Sequence, residues 1–415
     1  MTEARRPRLA VVSPFLDKHH GTERRVVEWV SWLARDFEIH IYSQRVEDVD
    51  LSQVVWHRIP ALPGPHLFGF LWWFAANHVW RIVDARFRGL HYDLVFSPGA
   101  NCLDADVVSV HILFFEYVRQ NRERLRLAGN APRMWLRILH RKLYYALAVS
   151  LERRVYRNPR TTLIVISRAT GRQLAKLAGR EDFPVFYAGV EAGTFNPQKR
   201  AALRPAARGS LELPQDQFAL LLVGNDWRNK GVPVLLAALD QLRDLPICLL
   251  VVSREEPSSC LALVKKLQLD GRVRLLPPRD DVEFYYAAAD CYAGPSMQDS
   301  FARPPAEAMA CGLPVIVSAA AGVSETITDG EDGLILDDPT DAKTLAGMIR
   351  RLYVDETLRA RLGEKAAETT QRYTWEKNGR DLAVLLEELL RRKAPPAAQA
   401  LEAKAMEADG VSRKS

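Results

Sequence analysis

Cysteine is scarce in this chain. The 415 residues include five (Cys102, Cys248, Cys260, Cys291 and Cys311), with no CxxC pair and no histidine at metal-ligand spacing. That pattern excludes a disulfide framework and a zinc module, and implies buried, reduced thiols in a cytoplasmic protein. Long apolar runs are missing too. The most lipid-like stretch, Leu67–Trp80, reaches roughly half to two-thirds of a spanning helix. The basic start MTEARRPRLAVVSPF lacks the apolar core and cleavage pattern of a signal peptide. Neither GxGxxG nor GxSxG occurs, so the dinucleotide fingerprint and the hydrolase nucleophile elbow are absent. Asp48-Val-Asp50 lies in an acidic loop, and Asp104-Ala-Asp106 precedes its strand instead of ending one. Both read as incidental, so no metal site is expected.

What is present describes a globular chain. Hydrophobic residues make up 48% and charged residues 26%, with a formal charge of +6, and the length exceeds one typical core, so two domains are expected. Short apolar runs at Arg8–Ser13, Phe37–Tyr42, Val54–Ile59, Asp93–Ser97, Val107–Val110 and Thr162–Ile166 alternate with helical patterns, one of them Glu23–Ala34 capped by Thr22. This alternation predicts a doubly wound α/β domain with a mostly parallel sheet. The pattern restarts at Phe218–Val223, Leu245–Val252, Val273–Leu275 and Asp290–Ala293. The expected organisation is a first domain over 1–198, a linker over 199–213, a second domain over 214–372, an amphipathic helix over 373–393 and a disordered tail over 394–415. Two α/β halves of similar size imply facing domains with a cleft between them.

Positive charge is clustered. Arg119–Arg160 carries twelve Lys/Arg against two Glu, interspersed with Trp135, Tyr144, Tyr145 and Tyr156. Pro65–Gly89 carries Trp72, Trp73, Phe74 and Trp80 followed by Arg81, Arg86 and Arg88. Two readings stay open: a surface that docks on an anionic membrane leaflet, or helices with inward aromatics and solvated arginines. No nucleic-acid module accompanies the charge, so a nucleic-acid partner is not expected.

Gly294–Glu325, GPSMQDSFARPPAEAMACGLPVIVSAAAGVSE, concentrates the chemistry. It reads as strand end, polar loop, a helix Ala306–Cys311 opened by Pro304-Pro305, a stop at Gly312, and a strand through Ser318. A helix start beside Asp299 and Glu307 can hold a diphosphate on backbone amides while carboxylates grip hydroxyls. Taken alone, the pair is also what a solvated loop Asp and a helix-start Glu would look like. In the loop Gly224–Gly231, Lys230 follows a strand, where an ammonium can neutralise a departing diphosphate.

Together with VGNDWRNKGV, GTERRVVEW and YAGVEAGTFNP, the stretch resembles the motifs of retaining glycosyltransferases of the large family 4 group, in their order along the chain. The resemblance spans roughly Gly21 to Glu325. It implies the GT-B architecture of two facing Rossmann-like domains, with the last helix crossing back to the N-terminal domain. It implies a nucleoside-diphosphate sugar donor (UDP- or GDP-linked), a glycan or lipid-linked acceptor, no other cofactor and no metal. The implied roles are Asp299 on sugar hydroxyls, Glu307 on the ribose, and Lys230 on the diphosphate, with Arg228 as a second charge. The amides of Ser300, Phe301 and Ala302 would face sugar and diphosphate, and Gly21 would let its loop approach the phosphates. His111 would contact the sugar near the reacting carbon, or else be a hydrogen-bonded structural histidine; Glu116 and Ser97 are further acceptor-side candidates. The chain departs from the family pattern at Asp299 (usually Glu), Ala302 (usually Gly), Asn225 (usually Arg) and Arg303-Pro304-Pro305. A nucleotide-sugar epimerase, a phosphorylase and an inactive nucleotide-sugar-binding homologue are the rival readings.

Overall fold

The computed structural model describes residues 5–18, 21–120, 122, 125, 132–256 and 258–393. The expected tail, 394–415, lies outside them, as do His19 and His20 of the first loop. The chain forms two compact units. The first is built from the described residues of Met1–Ile164, Gln173–Pro184 and Asn378–Ser415, and the second from those of Val165–Arg172 and Val185–Lys377.

The first unit runs β1 (Arg8–Val12), β2 (Phe15–Leu16), α1 (Gly21–Leu33), β3 (Glu38–Ser43), β4 (Arg45–Val46), β5 (Val54–Arg58), α2 (His66–Arg88), β6 (Leu94–Pro98), β7 (Val107–Val110), α3 (Phe114–Gln120), α4 (Pro132–Tyr156), β8 (Thr162–Val165) and α5 (Arg168–Ala178), whose start belongs to the second unit. Its main sheet has the order β5-β3-β1-β6-β7-β8, and every pairing with a defined register is parallel. α1 begins at Gly21, so Thr22 sits inside the first turn rather than capping it. The two aromatic, basic segments become α2 and α4, which pack on one another. The Leu67 amide donates to His140 Nε2 at 3.3 Å, and Tyr144 stands edge-on to His66 and Phe70.

The second unit continues with α6 (Pro197–Ser210), β9 (Phe218–Val223), α7 (Val232–Asp240), β10 (Ile247–Val252), α8 (Ser258–Lys266), β11 (Val273–Leu276), α9 (Glu283–Ala288), β12 (Cys291–Gly294), α10 (Arg303–Ala310), β13 (Val315–Ser318), β14 (Leu334–Leu336), α11 (Ala342–Val354) and α12 (Glu356–Thr370). Its sheet, β11-β10-β9-β12-β13-β14, is parallel throughout. Strand β10 is buried at every position, as a central parallel strand covered on both faces must be.

The stretch expected as a linker is instead α6. Asn196 caps it by accepting from the Lys199 amide at 2.8 Å, and Pro197 presets its first turn. Arg204 and Arg208 pair with Asp290, and Arg208 also bonds the Ala288 carbonyl at 3.1 Å. The arginines that read as linker charge hold the helix against the end of α9. The last helix, α13 (Trp375–Lys393), joins the first unit from Asn378 onward. There Trp29 Nε1 donates to Asn378, a Cβ on Gly379 would lie 2.5 Å from Trp32 Cβ, and Lys393 Nζ is 2.7 Å from Asp106.

Both sheets reverse direction at their middle. The chain moves outward from β1 through β3 to β5, then restarts at β6; likewise from β9 through β10 to β11, then restarts at β12. Open parallel sheets bind ligands at such switch points, beyond the carboxyl ends of the strands.

Candidate functional site

At the second unit's switch point, two loops are sewn together. One follows β9 (Gly224–Gly231) and the other follows β12 (Pro295–Ala302). The Met297 amide donates to the Asn229 carbonyl at 2.6 Å, and Asn229 Nδ2 donates to the Gln298 carbonyl at 2.8 Å. Gly231 makes the approach feasible. Its φ is +79°, and a Cβ there would fall 2.1 Å from the Pro295 carbonyl oxygen. The clasp sets Lys230 Nζ against Asp299 Oδ2 in an ion pair. Residues 69 apart in the chain, singled out separately, therefore share one site.

The other Asp299 oxygen, Oδ1, accepts from the amides of Phe301 (3.2 Å) and Ala302 (2.9 Å). Those amides are thus taken up within the loop, and Pro304 and Pro305 have no N–H. The start of α10 is therefore poor in free N–H donors, and the charges beside it are side chains. Ala302 holds φ +67°, a conformation that favours glycine. Ser300 is half-buried, and its carbonyl oxygen would lie 2.2 Å from a Cβ on Gly322, so the loop after β13 closes the far side.

Glu307 is buried on α10. Tyr286 donates to its Oε2 at 2.8 Å, and Arg303 lies 3.9 Å from Oε1. Neither partner was foreseen. Arg303 had a signal in the i,i+4 spacing to Glu307, whereas Tyr286 comes from a separate helix. Arg228 is exposed on the same loop as Lys230. Asn225, where the family pattern has Arg, accepts from Ser253 Oγ and the Arg254 amide instead. Glu325 accepts from the Arg168 (2.6 Å) and Ala169 (2.7 Å) amides, which makes it the cap of α5.

The first unit's switch point holds a different kind of site. A cavity of about 500 Å³ opens there. It lies over residues that follow β1 (Ser13, Pro14), β6 (Gly99, Asn101) and β7 (His111, Ile112), under α2 and α4. His111 bonds Ser109 Oγ through Nε2 at 2.8 Å; burial, with Arg25 nearby, pushes its pKa well below the usual histidine value. Glu152 accepts from the Phe114 (2.7 Å) and Phe115 (3.0 Å) amides, and burial still pushes its pKa up to about 7. Gly21 sits apart from these contacts: it is exposed, and a Cβ there would meet nothing within 4 Å. Ser97 donates to the Gly99 carbonyl, and Glu116 pairs with Arg119 at 2.7 Å. Asp104 grips Arg81 and Asp106 accepts from the Val95 amide, which are structural roles. Among the described residues, no three His, Cys, Asp or Glu side chains cluster as metal ligands.

Solved glycosyltransferases are similar to this chain over most of its length. WaaG, a glycosyltransferase involved in lipopolysaccharide biosynthesis, matches with TM-score 0.72 over 91% of this chain and 99% of its own, at 21% identity. Sucrose-phosphate synthase from Thermosynechococcus elongatus gives 0.73 over 94% and 100%, at 21% identity. Anabaena HepE, solved in complex with UDP-glucose, gives 0.67 over 92% and 99%, at 21% identity. The fold is therefore the α/β GT-B architecture.

Residues 204–369 match the family model described as "Glycosyl transferases group 1", so the second unit carries a domain of that group. Among curated relatives, the D-inositol 3-phosphate glycosyltransferase of a Nocardioides species is 34% identical over 216 residues, 47% of this chain and 46% of the relative. That of Kineococcus radiotolerans is 29% identical over 322 residues, 70% of each chain. The chain spans about half the length of the first curated relatives it matches.

Proposed function

We propose that the protein is a retaining glycosyltransferase of the family 4 group. It moves a hexose-type sugar from a UDP- or GDP-linked donor to a hydroxyl of a glycolipid, lipid-linked or polysaccharide precursor in cell-envelope glycan biosynthesis. The observation that carries this reading is the Lys230–Asp299 ion pair at the switch point, followed by α10 with its buried Glu307, inside a unit that matches the group 1 model. Relatives named for glycosyl transfer, and a fold neighbour solved with UDP-glucose, support it.

In this reading Lys230 offsets the charge that grows on the diphosphate as the bond to the sugar breaks. Asp299 orders the sugar hydroxyls and Glu307 the ribose. The acceptor oxygen bonds to the anomeric carbon on the face the leaving group departs from, and its proton passes to the departing phosphate. No protein nucleophile and no metal ion has a role. The expected result for Lys230→Ala or Glu307→Ala is a turnover about 10²–10³-fold lower with an unchanged circular dichroism spectrum. Near-normal transfer by both variants sinks the assignment.

The rival is an inactive nucleotide-sugar-binding homologue, favoured by the full engagement of Asp299 with Lys230 and two loop amides. Radiolabelled donors separate the two, because the rival binds them without transferring or hydrolysing them.

Peripheral docking on the inner face of the cytoplasmic membrane belongs to the same proposal. Phe68, Ile82 and Phe87 on α2 and Leu136, Leu139 and Leu143 on α4 are exposed, interleaved with Arg86, Arg88, Arg137 and Lys142. Exposed apolar residues flanked by cations fit an anionic leaflet. No helix among the described residues is long and apolar enough to cross a membrane. Flotation with anionic liposomes at low salt tests the docking, and recovery of all the protein in the unbound fraction contradicts it.

A further inference from the structure

The cavity of the first unit has a chemistry of its own. Its volume, about 500 Å³, falls in the roughly 300–1,000 Å³ range of small-molecule sites. It opens at the carboxyl ends of parallel strands where the strand order reverses, the position at which such sheets bind ligands. Its walls are rings and aliphatic groups, chiefly Phe70 and Trp73 from α2, Phe114 from α3, and Tyr144 and Leu151 from α4.

Charge sharpens the picture. Among the described residues no lysine or arginine lines the cavity; the ionisable side chains that do are Glu23, Glu152, His66, His111, Tyr144 and Tyr156. His111 is held neutral by burial. A phosphate here would lose its water and face Glu23 and Glu152 with no lysine or arginine among the described lining residues; Arg25, which acts on His111, stands outside the lining. A hydrocarbon chain would gain by leaving water for these walls. Ser13, Gln44 and Asn101, also in the lining, are neutral; Ser13 Oγ and Asn101 Nδ2 donate to the Phe15 and Pro98 carbonyls, so these two meet a ligand hydroxyl chiefly as acceptors.

We propose that this cavity binds the acceptor, taking a hydrocarbon portion against the aromatic wall and an uncharged hydroxylated head at Ser13, Gln44 and Asn101, and that it excludes phosphorylated polyols. The proposal rests on the glycosyl-transfer reading above and deepens it by naming the acceptor class. It sets this chain apart from the relatives named for D-inositol 3-phosphate, because the described lining offers a phosphate no lysine or arginine. In the transfer, the head group's hydroxyl oxygen bonds to the anomeric carbon, the carbon–oxygen bond to the diphosphate breaks, and the hydroxyl proton leaves with the diphosphate.

The test begins with binding to the whole chain, without donor. n-Octyl β-D-glucopyranoside below its micelle concentration and D-inositol 3-phosphate are titrated separately by calorimetry and tryptophan fluorescence. The glucoside is expected to bind at least ten-fold more tightly, and Gly69→Leu to weaken it at least five-fold. Gly69 lines the cavity, and a Cβ there meets nothing nearer than the Leu62 carbonyl oxygen at 3.9 Å, so the substitution adds bulk without a backbone clash. Should Gly69→Leu lose its folded circular dichroism spectrum, Ala148→Phe from the opposite helix is the second filling variant. Tighter binding of inositol 3-phosphate, or glucoside affinity unchanged in a folded filling variant, overturns the proposal.

Transfer assays with radiolabelled UDP- and GDP-sugars then separate the two layers. Labelling of the glucoside supports both. Labelling of inositol 3-phosphate alone overturns the cavity proposal and leaves glycosyl transfer standing. Glucoside binding that responds to the filling variants, without transfer from any donor, supports the cavity assignment and counts against the transfer reading.

Discussion

The two switch points share a topology and differ in chemistry. The second unit's is closed by hydrogen bonds between loops and centred on an ion pair, Lys230 with Asp299, with Glu307 buried on the helix that follows. The first unit's is an open cavity lined by Phe70, Trp73 and Tyr144, with no lysine or arginine among the described lining residues. A parallel sheet that reverses its strand order makes a crevice in either case. The crevice is general, and the loops decide what it holds: a glycine that permits close packing at one, two long aromatic helices roofing the other.

The sharpest way to break this contrast is at Gly231. An alanine there places a Cβ 2.1 Å from the Pro295 oxygen, at φ +79°. Gly231→Ala is expected to destabilise the protein by about 2–3 kcal/mol and to weaken donor binding by displacing Lys230. A melting temperature and donor affinity equal to those of the unaltered protein would show that the clasp between the loops is dispensable.

Acid and base act on the first unit in opposite senses. Burial raises the Glu152 pKa to about 7, so the folded state holds this proton more firmly than the unfolded chain. The stability that the proton contributes is present below the unfolded carboxyl range, near 4.3, and is lost as pH rises towards 7. His57 and His111 are shifted downward, chiefly by burial. Their neutral forms favour folding above about 6.5, and that contribution is lost as pH falls below it. Replacing Glu152 by Gln is expected to remove the first dependence and keep the second. The stability difference between Glu152→Gln and the parent should grow in the variant's favour by on the order of 2–3 kcal/mol from pH 4.5 to 7.5. Chemical denaturation across that range checks it, and a difference independent of pH contradicts the buried setting of Glu152.

The smallest effect belongs to Ala302. At φ +67° its side chain is held in a region that suits glycine, and Ala302→Gly is expected to relieve about 1 kcal/mol. A lower melting temperature for the variant would mean that its Cβ is held by packing that outweighs the strain.

Much of the fold was legible because apolar runs report parallel strands directly. Phe218–Val223 is a strand over its predicted span, and most of the others shift by a residue or two. The segment at 199–213 misled because its Arg, Ala, Pro and Gly read as solvated linker. Its arginines are satisfied by Asp290 and the end of α9, which no local pattern announces. The site divides in the same way. Motif spacing brought out Lys230, Asp299 and Glu307 singly, but not that Lys230 and Asp299 pair, since that depends on two loops crossing. Nor did it show that Asp299 takes up the Phe301 and Ala302 amides, leaving the start of α10 poor in donors. The cavity was invisible for a similar reason. Its lining draws on α2, α4 and the ends of several strands, and the same aromatics could equally have been core.

The most direct measurement of the central claim is calorimetric titration of the whole chain with UDP and GDP, repeated with Lys230→Ala. The account predicts saturable binding of one of them to the parent, weakened at least ten-fold in the variant while the melting temperature holds. Absence of binding by either nucleotide, or equal affinity in parent and variant, would contradict a diphosphate site at the second unit's switch point.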